Sequence, residues 1–396
     1  MIESIKSLSR QFAADTVATR RHLHAHPELS FQEHQTARYV ADQLRAIGLT
    51  PQEGVANTGV VALIEGTKTP SGRVVGLRAD MDALPIREAN DVPYKSTVEG
   101  VMHACGHDAH TASLLSTARI LHTLRDEFSG TVKLVFQPAE EKAPGGASLM
   151  IKDGVLENPA PVSMLGQHVA PNIQAGKIGF REGMYMASTD ELYLTVRGKG
   201  GHGAMPDTLI DPVLIASHII VAMQQVISRN RPPASPSVLS FGRFIADGVT
   251  NVIPNEVTIE GTFRCMNEQW REEGLRRMKK LAEGMAEAMG GTCEFERVTG
   301  YPFLKNHPEL TRRTRSATEA YMGQENVVDL DLWMAGEDFA FYSQVVDSCF
   351  YRLGTRNESR GIVSGVHTPT FDIDETALDI GPGLMAWLAV EELGRL

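Results

Sequence analysis

"HTASLLSTARILHTLRDEFSGTVKLVFQPAEE" (residues 110–141) reads as a helix running into a strand. Apolar residues recur at helical spacing through its first half, and the β-branched run TVKLVF follows. Before it stand two short runs of the same kind, GVVALIEG (59–66) and RVVGLRAD (73–80), and after it PVSMLGQHV (161–169). Strands alternating with helices predict an α/β fold whose sheet is mixed but mostly parallel, with helices on both faces. Residues 15–48 read as helical on either side of a break at Pro27, with Gly48 as a C-cap.

The pattern changes after residue 183. DELYLTVRGK (190–199) predicts a strand and DPVLIASHIIVAMQQVIS (211–228) a helix. SVLSFGRFIAD (237–247) and EVTIEGTFRC (256–265) predict two strands, 268–291 a helix and TCEFERVTGY (292–301) a last strand. The order β-α-β-β-α-β makes a split-βαβ unit of domain size. We therefore expect a main domain from residues 1–183 and 303–396, with 184–302 inserted into it. The 268–291 helix is amphipathic, whereas 211–228 is apolar nearly all round and asks for cover on more than one side. Its own domain or a partner subunit could supply that cover.

The chain has 396 residues, 42% hydrophobic and 22% charged, enough for a core of normal size. A net charge of -11 with no basic blocks argues against nucleic acid or an anionic membrane surface as a partner. The N-terminus lacks a signal-peptide run, and no stretch elsewhere reaches the ~18 apolar residues of a membrane span, so a cytoplasmic protein is expected. Cys105, Cys265, Cys293 and Cys349 are widely spaced, which argues against a disulfide framework.

Most ionisable residues of chemical interest fall just after a predicted strand: Asp80 and Asp82, Glu140 and Glu141, then His168. Carboxyl ends of strands are where open α/β sheets build sites. Cys105 and His107, with His103 and His110 nearby, combine thiolate and imidazole, the donors zinc and related metals prefer. In a loop before the helix they could face one point. A buried thiol with incidental histidines is the competing reading. Adjacent carboxylates at Glu140 and Glu141 could divide two tasks, cation binding and proton transfer, or simply form a solvated turn. Together with His367, the set Cys105, His107, Glu141, His168 and His367 is large enough for two metal ions if one ligand bridges. RGKGGHGAMP (197–206) is a poor P-loop, since no Gly-Lys-Ser/Thr opens a helix there. His202 within it reads either as a functional imidazole on a mobile turn or as incidental.

Taken in order, RRHLHAHPELSFQE (20–33), GLRADMDALP (76–85), MHACGHDAHTA (102–112), VFQPAEE (135–141), KGGHGAMP (199–206), NVIPNEVTIEGTFR (251–264), GEDFAFY (336–342) and GVHTPTFDID (365–374) span nearly the whole chain. They resemble the metal-dependent amidohydrolases that include hippurate hydrolase, N-acyl-L-amino acid amidohydrolases and indole-acetyl-amino-acid hydrolases. The resemblance implies a di-metal peptidase-like domain with an inserted lid or dimerisation domain, and a homodimer or homotetramer formed through the insertion. It implies Cys105 as bridging ligand, with His107, Glu141, His168 and His367 as the other ligands of two divalent ions, zinc or manganese, with cobalt or nickel as further choices. It also implies Glu140 as general acid/base, His202 as a lid histidine, and Asn251 and Arg264 as contacts for the carboxylate of an N-acyl amino acid. Wider relatives carry a metal-binding His-x-Asp where this chain reads Arg78-Ala-Asp80, which leaves the tasks of Asp80 and Asp82 open. A carboxypeptidase or dipeptidase, and a non-catalytic thiol or metal-binding protein, are the competing functions.

Overall fold

The computed structural model describes residues 1–69 and 71–395, and the chain folds into two compact units. The first unit comprises Met1–Gly183, Lys305–Asp331 and the chain from Asp338 onward. Its longer helices are α1 (Ile2–Ala25), α2 (His34–Ala46), α3 (His107–Thr123), α4 (Pro308–Met322) and α5 (Gly381–Leu393), with short helical turns at Gly146–Lys152 and Ala340–Ser343. Its sheet is built from β1 (Gln52–Val55), β2 (Gly59–Thr67), β3 (Val74–Asp80), β4 (Ser129–Gln137), β5 (Ser163–Gln174), β6 (Ile178–Phe180), β7 (Val327–Asp329) and β8 (Asp347–Arg356).

Those strands lie in the order β1-β2-β4-β3-β5-β8-β6-β7, and the run β4-β3-β5-β8 at its centre is parallel throughout. The sheet is mixed and largely parallel. Every residue of β3 is buried, so both sheet faces are covered there. Val75, Leu77, Val132, Leu134, Phe136, Leu165 and Leu353 supply the sheet side of the core, and α3 and α5 bring Leu114, Leu121, Leu384 and Leu388 onto it. Helix α3 is buried on nearly all sides although much of its sequence is polar, and its buried polar side chains His107, Asp108, His110 and Thr111 lie in its first turns.

The second unit, Met184–Leu304 with Leu332–Glu337, holds a four-stranded antiparallel sheet. Its strand order is Ser237–Ile245, Glu256–Cys265, Asp190–Arg197, Thr292–Thr299. Two helices, Pro212–Gln225 and Glu268–Ala288, join the strands. Leu192, Leu194, Ile215, Ile219, Met223, Phe263 and Met278 form its core. Asp190 is buried between two arginines, accepting from Arg271 Nε and Arg297 Nε at 2.7 Å each.

The first of these helices starts on Asp211, whose carboxylate accepts from the Val213 and Leu214 amides, and continues through a π-turn to Asn230. Contrary to the expectation that no stretch has the character of a span, residues 212–230 have the length and composition of a membrane-crossing helix. Ser217, His218, Gln224 and Gln225 interrupt the run without lowering its mean hydropathy below that of a span. Its buried face packs into the unit's own core, while Leu214 and Val221 on the other face are exposed.

Candidate metal centre

The candidate site lies at the ends of the central strands of the first unit. Asp80 closes β3 and Asp82 follows two residues later. Glu140 and Glu141 leave β4 through Pro138 and Ala139, the latter at a positive φ of 50°. His168 lies inside β5 rather than beyond its end, because that strand runs on to Gln174. His107 is the first residue of α3, not part of the loop before it. Gly106 makes the tight turn between Cys105 and His107 at φ 87°, where a Cβ would stand 2.5 Å from Val169 Cγ2, so only glycine fits. His367 sits at φ 62° in the loop before α5, and its amide donates to Ala104 O at 2.7 Å, joining the two ligand-bearing loops directly.

Donor atoms of Cys105, His107 and His168 lie within 4.8 Å of one another, and so do those of Cys105, Glu141 and His367. Cys105 belongs to both triads. Its Sγ is 3.5 Å from His168 Nε2, while His367 Nε2 is 3.1 Å from Glu141 Oε1. His107 Nε2 stands 4.0 Å from both Glu140 Oε2 and Glu141 Oε1. Cys105, His107 and His168 are buried, whereas His367 is half exposed and marks the open side. The structure thus brings together all five side chains singled out as metal ligands, with Glu140 beside them.

Partners behind the cluster fix which atoms face inward. His107 donates from Nδ1 to Asp82 Oδ1 at 3.1 Å, and His168 from Nδ1 to Val169 O at 2.7 Å, so each turns Nε2 toward Cys105. Asp82 also accepts from the amides of Glu140 and Glu141 at 3.0 Å and from Ser30 Oγ at 2.6 Å, so one buried carboxylate sets three site residues at once. Glu33 accepts from Ala139 N at 2.8 Å and Thr58 Oγ1 at 2.7 Å and braces the same turn. Asp338, held by Arg78 Nη2 at 2.8 Å, gives its amide to Glu140 Oε1 at 3.4 Å.

His110 has a different task. Its Nδ1 meets Asp80 Oδ1 at 2.6 Å and its Nε2 accepts from Val169 N at 2.8 Å, which leaves no nitrogen for a cation. Asp80 is occupied in turn by Arg78 Nη1 at 2.6 Å. Asp82 is therefore the carboxylate that orients a ligand, and Asp80 clamps structural partners. His103 is fully buried, and burial pushes it down to about 4, so it stays neutral.

The donor set fits divalent cations. His107 Nε2 and Glu141 Oε1 are buried atoms without a hydrogen bond. Burial opposes a proton on His107, yet Asp80, Asp82 and Glu141 outweigh it and raise that imidazole to about 10. Burial, with Glu141, Glu140 and Asp80 nearby, pushes the Cys105 thiol well above its ordinary range. Such a concentration of negative charge is what bound cations would neutralise. Asp82→Asn is accordingly expected to weaken zinc or manganese binding about 10- to 100-fold, read by calorimetric titration, because the oriented imidazole loses its charged acceptor and the amide cannot accept on both sides as the carboxylate does.

His202, Asn251 and Arg264 belong to the second unit. His202 lies on a two-stranded ribbon with Val252, and Gly203 N donates to Asn251 O at 2.8 Å. The amide of Ala204 donates to His202 Nδ1 at 3.1 Å, which places the neutral ring's proton on Nε2. Arg264 donates from Nε to Thr262 Oγ1 at 2.9 Å and forms no ion pair with a carboxylate among the described residues. Sequence reading missed Ser30, Glu33 and Asp338, although all three stand in quoted motifs, the first two at 20–33 and the third at 336–342.

Cysteine, histidine and carboxylate side chains gathered at the strand ends of a largely parallel sheet define a hydrolase site. Residues 76–389 match the model of peptidase family M20/M25/M40, and the chain belongs to that family. It is a hydrolytic enzyme acting on amides. It is 43% identical to an N-acyl-L-amino acid amidohydrolase of Geobacillus stearothermophilus over 78% of this chain and 82% of that one. Thermostable carboxypeptidase 2 of Saccharolobus solfataricus is 36% identical over 99% and 98% of the two chains. The crystal structure of the Bacillus subtilis YXEP protein, described as a dinuclear metal binding peptidase of the M20 family, superposes with a TM-score of 0.84 at 35% identity, covering 98% of this chain and 99% of that one.

Proposed function

We propose that the protein hydrolyses the amide bond of N-acyl-L-amino acids to a carboxylate and a free amino acid, with two divalent cations held by Cys105, His107, Glu141, His168 and His367. The observation that carries this reading is the pair of triads sharing Cys105, with Glu140 alongside and outside both. When bound, the cations supply Lewis acidity that polarises the amide carbonyl and makes water acidic enough to attack at neutral pH. Glu140 takes the proton of the attacking water and returns it to the departing amine. The Asp338 amide at Glu140 Oε1 fixes the carboxylate for both transfers. His202, with its proton on Nε2, is assigned to the developing oxyanion. Arg264, with Asn251, is assigned to the substrate carboxylate, which a planar guanidinium grips through two parallel bonds.

The second unit serves in this reading as lid and dimerisation domain. Exposed Leu214 and Val221 on its apolar helix support a homodimer. Carboxypeptidase activity is the second reading, favoured by the likeness to the Saccharolobus protein along almost the whole chain.

The deciding experiment offers metal-stripped protein, restored with zinc, manganese, cobalt or nickel, a panel of N-acetyl, N-benzoyl and N-indoleacetyl amino acids beside dipeptides and blocked peptides. Amine release from the acyl amino acids and not from peptides is the expected result, and the reverse makes the protein a carboxypeptidase. Arg264→Met is expected to raise KM about 10- to 100-fold, the loss of a charged hydrogen bond worth about 1.5–3 kcal/mol. The methyl esters of the same substrates, which lack the carboxylate, are expected to show no such change.

A further inference from the structure

Arg20, on α1, is a buried charge with no part in the proposed chemistry. Its guanidinium reaches three carboxylates on other segments: Asp108 Oδ2 from Nε at 2.8 Å, Asp372 Oδ1 from Nη2 at 2.8 Å, and Glu375 Oε1 from Nη1 at 3.3 Å. The Tyr94 ring lies 4.8 Å from it, and Tyr94 OH donates to the other oxygen of Asp372 at 2.8 Å. His24, one turn further along α1, shares Asp108 Oδ2 at 2.7 Å and sets its Nε2 3.2 Å from Glu88 Oε1.

The placement of these carboxylates matters more than their number. Asp108 is the residue after His107 in the first turn of α3, a turn whose N-cap is Gly106 and which has no side-chain cap. Its grip on α1 therefore sets the direction in which His107 leaves the helix. Asp372 lies a few residues beyond His367 in the same loop, next to buried Phe371. One guanidinium thus ties the helix that presents His107 to the loop that presents His367, and these two imidazoles belong to different triads. An ionic network that only stabilised the core would have no reason to flank one ligand of each triad.

We propose that Arg20 is a positioning residue of the metal centre, setting the separation of its two triads through Asp108 and Asp372. The proposal rests on the two-cation reading above. Losing the guanidinium leaves Asp108 and Asp372 facing one another in a buried setting, and their repulsion would spread the two ligand-bearing segments. Displacement by a fraction of an ångström is enough to weaken a centre whose ligands must meet at fixed distances.

The test titrates metal-stripped wild type, Arg20→Met, Arg20→Lys and Asp372→Asn with zinc or manganese by calorimetry, and records melting temperature, kcat and KM for each. The expected wild type takes up two cations. Arg20→Met, still melting cooperatively, binds at least one of them about 10- to 100-fold more weakly, with kcat reduced and KM little changed. Arg20→Lys recovers part of the affinity, and adding Asp372→Asn to Arg20→Met costs no more and restores part of the loss, because it removes one of the two repelling charges. A lower melting temperature with both affinities and kcat at the wild-type level overturns the proposal. Should Arg20→Met not fold, Asp372→Asn decides, and unchanged cation binding in that variant overturns it equally. A wild type that binds fewer than two cations brings down the two-cation reading and this proposal with it, a result distinct from normal binding in the wild type with no effect of the substitutions.

Discussion

Glu140→Gln is expected to lower kcat about 100- to 10,000-fold while leaving cation uptake and KM close to wild type. The amide has nearly the volume of the carboxylate, and its oxygen can still accept from the Asp338 amide at the Oε1 position. What disappears is the ability to take a proton from water and hand it on. Cation uptake is expected to survive because neither Cys105 triad includes Glu140. The check is kcat and KM from amine release, with metal content measured on the same preparation. Loss of metal together with activity would instead make Glu140 a ligand, a role within reach given its 4.0 Å distance to His107 Nε2. Full activity in this variant would leave the site without its base, and would favour a protein built around the Cys105 thiol.

Cys105→Ala is expected to act on both cations at once. Each triad keeps only two of its three donors without the thiolate, so uptake is expected to fall below one cation per chain, and affinity by more than the roughly 100-fold that follows loss of a supporting partner. His168→Ala, by contrast, touches one triad and is expected to leave one cation in place. Cys105→Asp keeps a negative bridging donor and is expected to restore two-cation binding, with preference moving toward harder ions such as manganese. Elemental analysis of the three variants after dialysis against each metal distinguishes these outcomes. A thiol redox function makes the opposite prediction, that aspartate is no better than alanine.

The alternation of helix and strand was legible because each element carries its own periodicity, β-branched runs in β3 and β4 and apolar residues at helical spacing in α3. Residues placed at strand ends announced the site for the same reason: the strand pattern says where the chain leaves the sheet. Which residue does which task was much less legible. His110 stands in the same run as Cys105 and His107, and only the positions of Asp80 and the Val169 amide show that both its nitrogens are occupied. The jobs of Asp80 and Asp82 were open for a similar cause, since residues two apart on an extended chain share a side and differ only in what lies across from them. Asp82 finds His107, Ser30 and two backbone amides there, partners that the chain brings in from well-separated segments. The apolar helix of the second unit was read as needing cover, but the extent of its exposed face depended on which neighbours the fold supplied.

The first unit is closed by the last quarter of its sequence: β8 lies between β5 and β6, two strands that precede it by far in the chain. A ribosome adding about 5–20 residues per second needs on the order of ten seconds or more to pass from β5 to β8. Until then β5 waits with one edge unpaired, and the cluster around Cys105 lacks His367. The second unit, mostly encoded in that interval, is able to form before the first is finished. The nascent protein therefore passes through a stage with one finished unit and one open sheet, when chaperone binding or mispairing between neighbouring chains is most consequential.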